Sequence, residues 1–129
     1  SYDGPALIVA YSPCQQHGMP AKLGMSHQAD EQRKAVESGY WPLYRYDPRR
    51  AAKGENPFQL DFKKLKIQVS EFLEGENRFA MLDRANPEKA KMLHEELQKE
   101  VEKRHAERVR MAMSDKQLYK ELKKTYGKK

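Results

Sequence analysis

Six consecutive apolar residues, Ala6-Leu7-Ile8-Val9-Ala10-Tyr11, run into Pro13 and then into the only cysteine of the chain, Cys14. The run is far short of the roughly 20 apolar residues of a membrane helix, and it lacks the basic flank and length of a signal peptide. Its β-branched centre suits a strand covered on both faces, as inside a parallel sheet, although a buried helical turn fits so short a run. Pro13 ends either one, because it has no ladder donor and holds Ser12 extended.

Gly18, Pro20 and Gly24 then predict a loop over Gln15 to Met25. Ser26 is placed to cap a helix with Ala29, Val36 and Tyr40 along one side, closed by Gly39 in the left-handed position. Trp41-Pro42-Leu43-Tyr44-Arg45-Tyr46 reads as a second strand, confined by Pro42 to a strand start or an edge, and Asp47-Pro48 as a turn. Strand, loop, helix, strand is the pattern of an α/β fold.

The second half reads differently. Arg49 to Asn56 is a polar loop, and Phe58-Gln59-Leu60 a short extended piece. Val69, Phe72, Leu73, Phe79, Met81 and Leu82 predict one helix or two, broken near Gly75. Asn86-Pro87 is a strong helix start, and Ala90, Leu93, Leu97 and Val101 carry that helix to about Met113, with Glu95–Lys99 and Glu100–Arg104 as outer pairs. Ser114-Asp115-Lys116-Gln117 resembles a capping box before a last helix bearing Leu118, Leu122 and Tyr126.

Composition bounds the function. With 129 residues, 38% apolar and 34% charged, one domain with a modest core is expected in a soluble, cytoplasmic chain, with no membrane partner. Of the net charge of +6, residues 86–129 carry +5, from 13 basic and 8 acidic side chains. Acids are interleaved throughout, so this end reads as a solvated helical face as well as a docking patch for a polyanion or an acidic protein.

One cysteine makes no internal disulfide. Cys14 is therefore an inert core thiol, a reactive thiol, or one ligand of a metal site completed elsewhere. Its place just past a buried-looking strand is where ligands gather in open α/β sheets. The Cys14–His17 spacing suits two zinc ligands, yet a structural zinc needs four and no second cysteine exists. A Cys14–His17 nucleophile needs an oxyanion hole that nothing else here provides. His27 and His94 read as surface histidines, and Met19, Met25, Met111 and Met113 as gap-fillers or helix surface. No glycine-rich phosphate loop is present. Tyr40, Trp41, Tyr44 and Tyr46 with Arg45, Arg49 and Arg50 suit either base stacking or a strand packed on a core.

Four blocks in order, GPALIVAYSPCQQHGM, AVESGYWPLYRYDPR, GENPFQLD and FLEGENRFAMLDRANPEKA, resemble the C-terminal portion of the pyruvate:ferredoxin (flavodoxin) oxidoreductases. The resemblance covers Ser1 to roughly Met113. It implies that residues 1–61 are the C-terminal part of a thiamine-diphosphate-binding α/β domain, a strand-helix-strand portion of its parallel sheet. Residues 62–129 are then a mainly helical C-terminal extension. It also implies that Cys14, in the setting A-Y-x-x-C-x-x-H-G, is the last of four thiolate ligands of a [4Fe-4S] cluster. Gln15, commonly apolar in the family, and Phe62 to Gln68, which differ from its usual continuation, depart from the pattern.

The resemblance implies oxidative decarboxylation of pyruvate with coenzyme A, electrons passing singly through iron-sulfur clusters to ferredoxin or flavodoxin. The other three thiolates, and the residues that bind thiamine diphosphate and magnesium, are expected before Ser1. The chain is then a fragment or split subunit, inactive alone, with no catalytic or cofactor-binding residue of its own besides Cys14. Its partners are the remainder of the oxidoreductase, a homodimer when intact, and ferredoxin or flavodoxin, with no nucleic acid. The alternative is a small basic binding module for RNA or an acidic protein, complete in itself.

Overall fold

The computed structural model describes residues 2–14, 18 and 25–118. A short 3-10 turn, Met25–His27, leads into helix α1 (Gln28–Glu37). The cap position therefore falls on His27 and not on Ser26, whose hydroxyl lies 3.2 Å from His27 Nδ1. The buried face of α1 is also one step from the expected line. Glu31, Ala35 and Ser38 are buried, whereas Ala29 is exposed. That face carries a carboxylate and a hydroxyl, so an apolar count misses it.

Gly39 ends α1 at φ 81°, in the left-handed region as expected. A side chain there would also meet Leu65 and Val101, at 2.7 and 3.0 Å. The chain then doubles back, Trp41 N–H donating to Ala35 C=O at 2.8 Å, and this swings Tyr40 and Trp41 onto the core.

The sheet differs from expectation. Strands β1 (Tyr44–Tyr46) and β2 (Phe58–Leu60) pair antiparallel, with Tyr44 opposite Leu60 and Tyr46 opposite Phe58. Between them Asp47 caps a 3-10 turn, Pro48–Lys53, by accepting from Arg49 N–H. The anticipated strand over Ala6–Tyr11 is not formed. Residues 5–14 have no regular secondary structure, and Leu7 and Ile8 are 89% and 88% exposed. A strand exists only by pairing, and no described segment pairs with this one. Consequently no parallel sheet is present among the described residues.

Helices dominate the remainder. The apolar stretch around Gly75 is two helices, α2 (Val69–Leu73) and α3 (Asn77–Ala85). Gln68 and Glu71 form a capping box at the start of α2, and Gln98 Oε1 accepts from Val69 N–H at 2.8 Å. Helix α4 (Pro87–Met111) starts where expected, Asn86 capping Lys89 N–H at 3.0 Å. Ala90 and Val101 are its buried residues, and Arg104 pairs with Glu100 at 2.8 Å. Ser114 and Gln117 exchange hydrogen bonds as a capping box does. Leu122 and Tyr126 lie outside the described residues.

Ala35, Val69, Phe72, Leu73 and Val101 form the core, with Tyr11, Tyr40, Trp41, Phe79 and Leu97 packed around it. Both sides of residue 61 contribute. Four rings converge, Tyr40 on Phe72 at 4.7 Å and Tyr11 on Trp41 at 5.6 Å.

The candidate site: the Cys14 turn and the acidic junction behind it

Cys14 is exposed, on a turn that is otherwise well anchored. Pro13 and Gly18 on either side are buried. Gly18 N–H donates to Cys14 C=O at 2.7 Å, closing the turn, and Asn77 N–H at the start of α3 donates to Gly18 C=O at 2.7 Å. A methyl group at Gly18 would lie 2.7 Å from Cys14 O and 3.0 Å from Glu76 Oε2, so glycine permits this close approach. His17 lies outside the described residues, as does Met19.

Behind the turn sit two buried carboxylates that no sequence pattern singled out. Glu76, 1% exposed, precedes α3 and accepts from Tyr11 O–H at 2.7 Å through Oε1. Arg78 Nη2 lies 3.1 Å from Oε2 of the same carboxylate, an ion-pair distance without an aligned hydrogen bond. Glu31, 3% exposed, reaches from α1 onto the backbone of Gly75, where any side chain would collide with its carboxyl. Its Oε2 has no hydrogen-bond partner, and its Oε1 is 3.5 Å from Lys34 Nζ.

Burial raises the Glu31 carboxyl above its ordinary value, opposed by Lys34 and reinforced by Glu76. Burial also pushes the Tyr11 phenol up, as does its bond to Glu76. Tyr11 thus stays a neutral hydroxyl donor across the physiological range. α1, the α2–α3 junction and the Cys14 turn meet at these two acids.

Elsewhere the aromatic and basic residues divide. Tyr40 and Trp41 are half-buried and pack against the core, and Tyr44 stacks on Phe58 at 5.2 Å. The arginines nearby are engaged with acids: Arg45 with Asp61 at 2.6 Å, Arg49 with Asp47 at 2.7 Å, Arg50 with Glu55 at 3.0 Å. Paired in this way, they present little net field to a polyanion. His27 is exposed as expected, but His94 is not a surface histidine. Its ring is edge-on to Phe79, its Nδ1 is 3.8 Å from Asp83, and its Nε2 is buried without a partner. Met111 is exposed.

The fit to a metal cluster is partial. A cubane cluster takes four thiolates and this chain has one. Among the described residues no group of three or more His, Cys, Asp or Glu is placed to hold a metal. An exposed thiol on an anchored turn fits a single ligand reaching toward a centre completed by other residues. It does not fit an inert core thiol. No described helix is long and apolar enough to cross a membrane.

No protein-family model matches the chain. Curated relatives do. The chain is 48% identical over 97 residues to the mitochondrial pyruvate dehydrogenase [NADP(+)] of Euglena gracilis, covering 75% of the chain and 5% of that protein. It is 50% identical over 92 residues to the pyruvate:ferredoxin oxidoreductase of Moorella thermoacetica, covering 71% of the chain and 8% of the relative. It is 44% identical over 104 residues to the pyruvate-flavodoxin oxidoreductase of a Nostoc species, covering 81% and 8%. The chain thus spans less than a tenth of the length of each of these relatives.

Proposed function

The chain belongs to the family of the pyruvate:ferredoxin and pyruvate-flavodoxin oxidoreductases, and we propose that it is one segment of such an enzyme, supplying the ligand Cys14 to an iron-sulfur cluster. The whole enzyme oxidatively decarboxylates pyruvate with coenzyme A and reduces ferredoxin or flavodoxin, in the cytoplasm and as a homodimer. When bound, the cluster supplies one-electron transfer. What this chain contributes is a thiolate held on an anchored turn, with a tyrosine and two buried acids behind it. Thiamine diphosphate and magnesium are held by residues outside this chain.

The observation that carries the reading is the exposed run Leu7-Ile8-Val9, 89%, 88% and 68% exposed, leading directly into the Cys14 turn. Burying those side chains is worth about 1.5–3 kcal/mol each, a strong incentive to add the run to another sheet. The remainder of the oxidoreductase is its proposed cover, with Ala6–Tyr11 as a strand of the thiamine-diphosphate-binding sheet. On that division residues 1–61 belong to the α/β domain, and residues 62–129 are a helical extension bracing it through the shared core. The rival, a self-contained RNA or acidic-protein module using the C-terminal helices, gains no support from the relatives named above, which are all pyruvate oxidoreductases.

Purified alone, the chain is expected to reduce no viologen dye with pyruvate, coenzyme A and thiamine diphosphate. Pyruvate-dependent turnover by the isolated chain would contradict the proposal.

A further inference from the structure

We propose that Tyr11 and Glu76 are positioning residues that set where the Cys14 thiol is presented, an inference that rests on the reading of Cys14 as a cluster ligand. Two connections tie the turn to the helical layer. One is the Tyr11 O–H donating to Glu76 Oε1 at 2.7 Å, three residues before the cysteine. The other is the backbone relay from Asn77 N–H to Gly18 C=O and from Gly18 N–H to Cys14 C=O, each at 2.7 Å. Both end on consecutive residues, Glu76 and Asn77, at the start of α3. The turn is thus clamped before and after Cys14 by one rigid helix end.

The burial of Glu76 supports a specific role. A carboxylate 1% exposed, with its Oε2 lacking an aligned hydrogen bond, is costly to keep unless its placement is needed. A leucine would fill that space more cheaply but would leave the Tyr11 hydroxyl without an acceptor. Glu31 backs the same junction from the other side, its carboxyl lying against Gly75. The ring of Tyr11 is held independently, 5.6 Å from Trp41 and 6.2 Å from Phe72 between centroids, so its hydroxyl is aimed by packing. Such an outer support orients a metal ligand and tunes the electronic state of the metal it binds.

The test uses the intact oxidoreductase carrying Tyr11→Phe, Glu76→Ala, Glu76→Gln or Cys14→Ala. Tyr11→Phe keeps the stacked ring and deletes only the hydroxyl. Glu76→Gln keeps a partner for that hydroxyl, since an amide can accept from it or donate to it. Each variant is assayed for iron per protomer, for the EPR line shape of the reduced clusters and for their midpoint potentials. Tyr11→Phe and Glu76→Ala are expected to alter the line shape and shift the potential of one cluster, with Glu76→Gln restoring parental behaviour. If Cys14→Ala loses a cluster while Tyr11→Phe and Glu76→Ala retain the parental spectrum and potential, the positioning role is overturned and the ligand survives. Full iron in Cys14→Ala overturns both.

Discussion

The side-chain amide of Asn56 donates to Met111 C=O at 2.7 Å and also to Met113 C=O at 3.0 Å, tying the loop before β2 to the end of α4. Its carbonyl oxygen accepts from Phe58 N–H at 2.9 Å, so one side chain serves the strand and the helix end together. The last carbonyls of a helix lack intrahelical donors, and Asn56 supplies donors that the sequence between them does not.

Asn56→Ala removes these bonds and is expected to cost about 1–3 kcal/mol. Asn56→Asp keeps the acceptor for Phe58 but sets a carboxylate against two carbonyls, and is expected to cost at least as much. Urea unfolding of the two variants and the parent measures both. An Asn56→Asp variant as stable as the parent would show that the helix end does not depend on these bonds.

Gly39→Ala combines two penalties. The left-handed φ of 81° costs an L-residue about 1–2 kcal/mol, and the added methyl presses on Leu65 and Val101. Those contacts join the end of α1 to Leu65 and to Val101 of α4, so a loss of at least that size is expected in unfolding free energy. A change below about 0.5 kcal/mol would mean that the α1 end relaxes freely.

Glu31 and Asp47 should give opposite pH slopes in separate windows. The folded Glu31 carboxyl titrates above its ordinary 4.5, so from there upward the unfolded chain releases a proton that the folded chain keeps. Stability therefore falls as pH rises through that window, and Glu31→Gln should flatten the fall. Asp47, lowered to about 2 mainly by the Arg49 guanidinium bond, stabilises above its ordinary 3.8 and loses that contribution as pH drops toward 2. Unfolding midpoints followed from pH 2 to 8 test both. Parallel curves for the parent and Glu31→Gln would remove the first claim.

The boundaries that the sequence revealed are those with local causes. Asn86-Pro87 starts α4, Gly39 closes α1, and Gly75 separates α2 from α3, because capping chemistry and backbone freedom act within a few residues. Features that depend on distant partners were less legible. Ala6–Tyr11 reads as a buried strand, yet no described segment pairs with it and Leu7, Ile8 and Val9 are exposed, an outcome that its own residues do not signal. Glu31 and Glu76 gave no pattern at all, since a buried carboxylate looks like a surface one until its neighbours are known. In the candidate site, the sequence singles out Cys14 by its setting, whereas the hydrogen bond between Tyr11 and Glu76, 65 residues apart, leaves no local signal. Of the basic C-terminal end, which reads as a solvated helical face or a docking patch, Lys116 is exposed, while residues 119–129 lie outside the described residues.

If Cys14 ligates an iron-sulfur cluster of a pyruvate oxidoreductase, as proposed above, removing its thiol removes that cluster. The most direct measurement is iron, acid-labile sulfide and bound thiamine diphosphate in the purified intact enzyme, parent against Cys14→Ala. Alanine offers no ligand, so loss of about four irons and four sulfides per protomer is expected, with thiamine diphosphate retained. A Cys14→Ala enzyme with the full parental complement of iron and sulfide would contradict it.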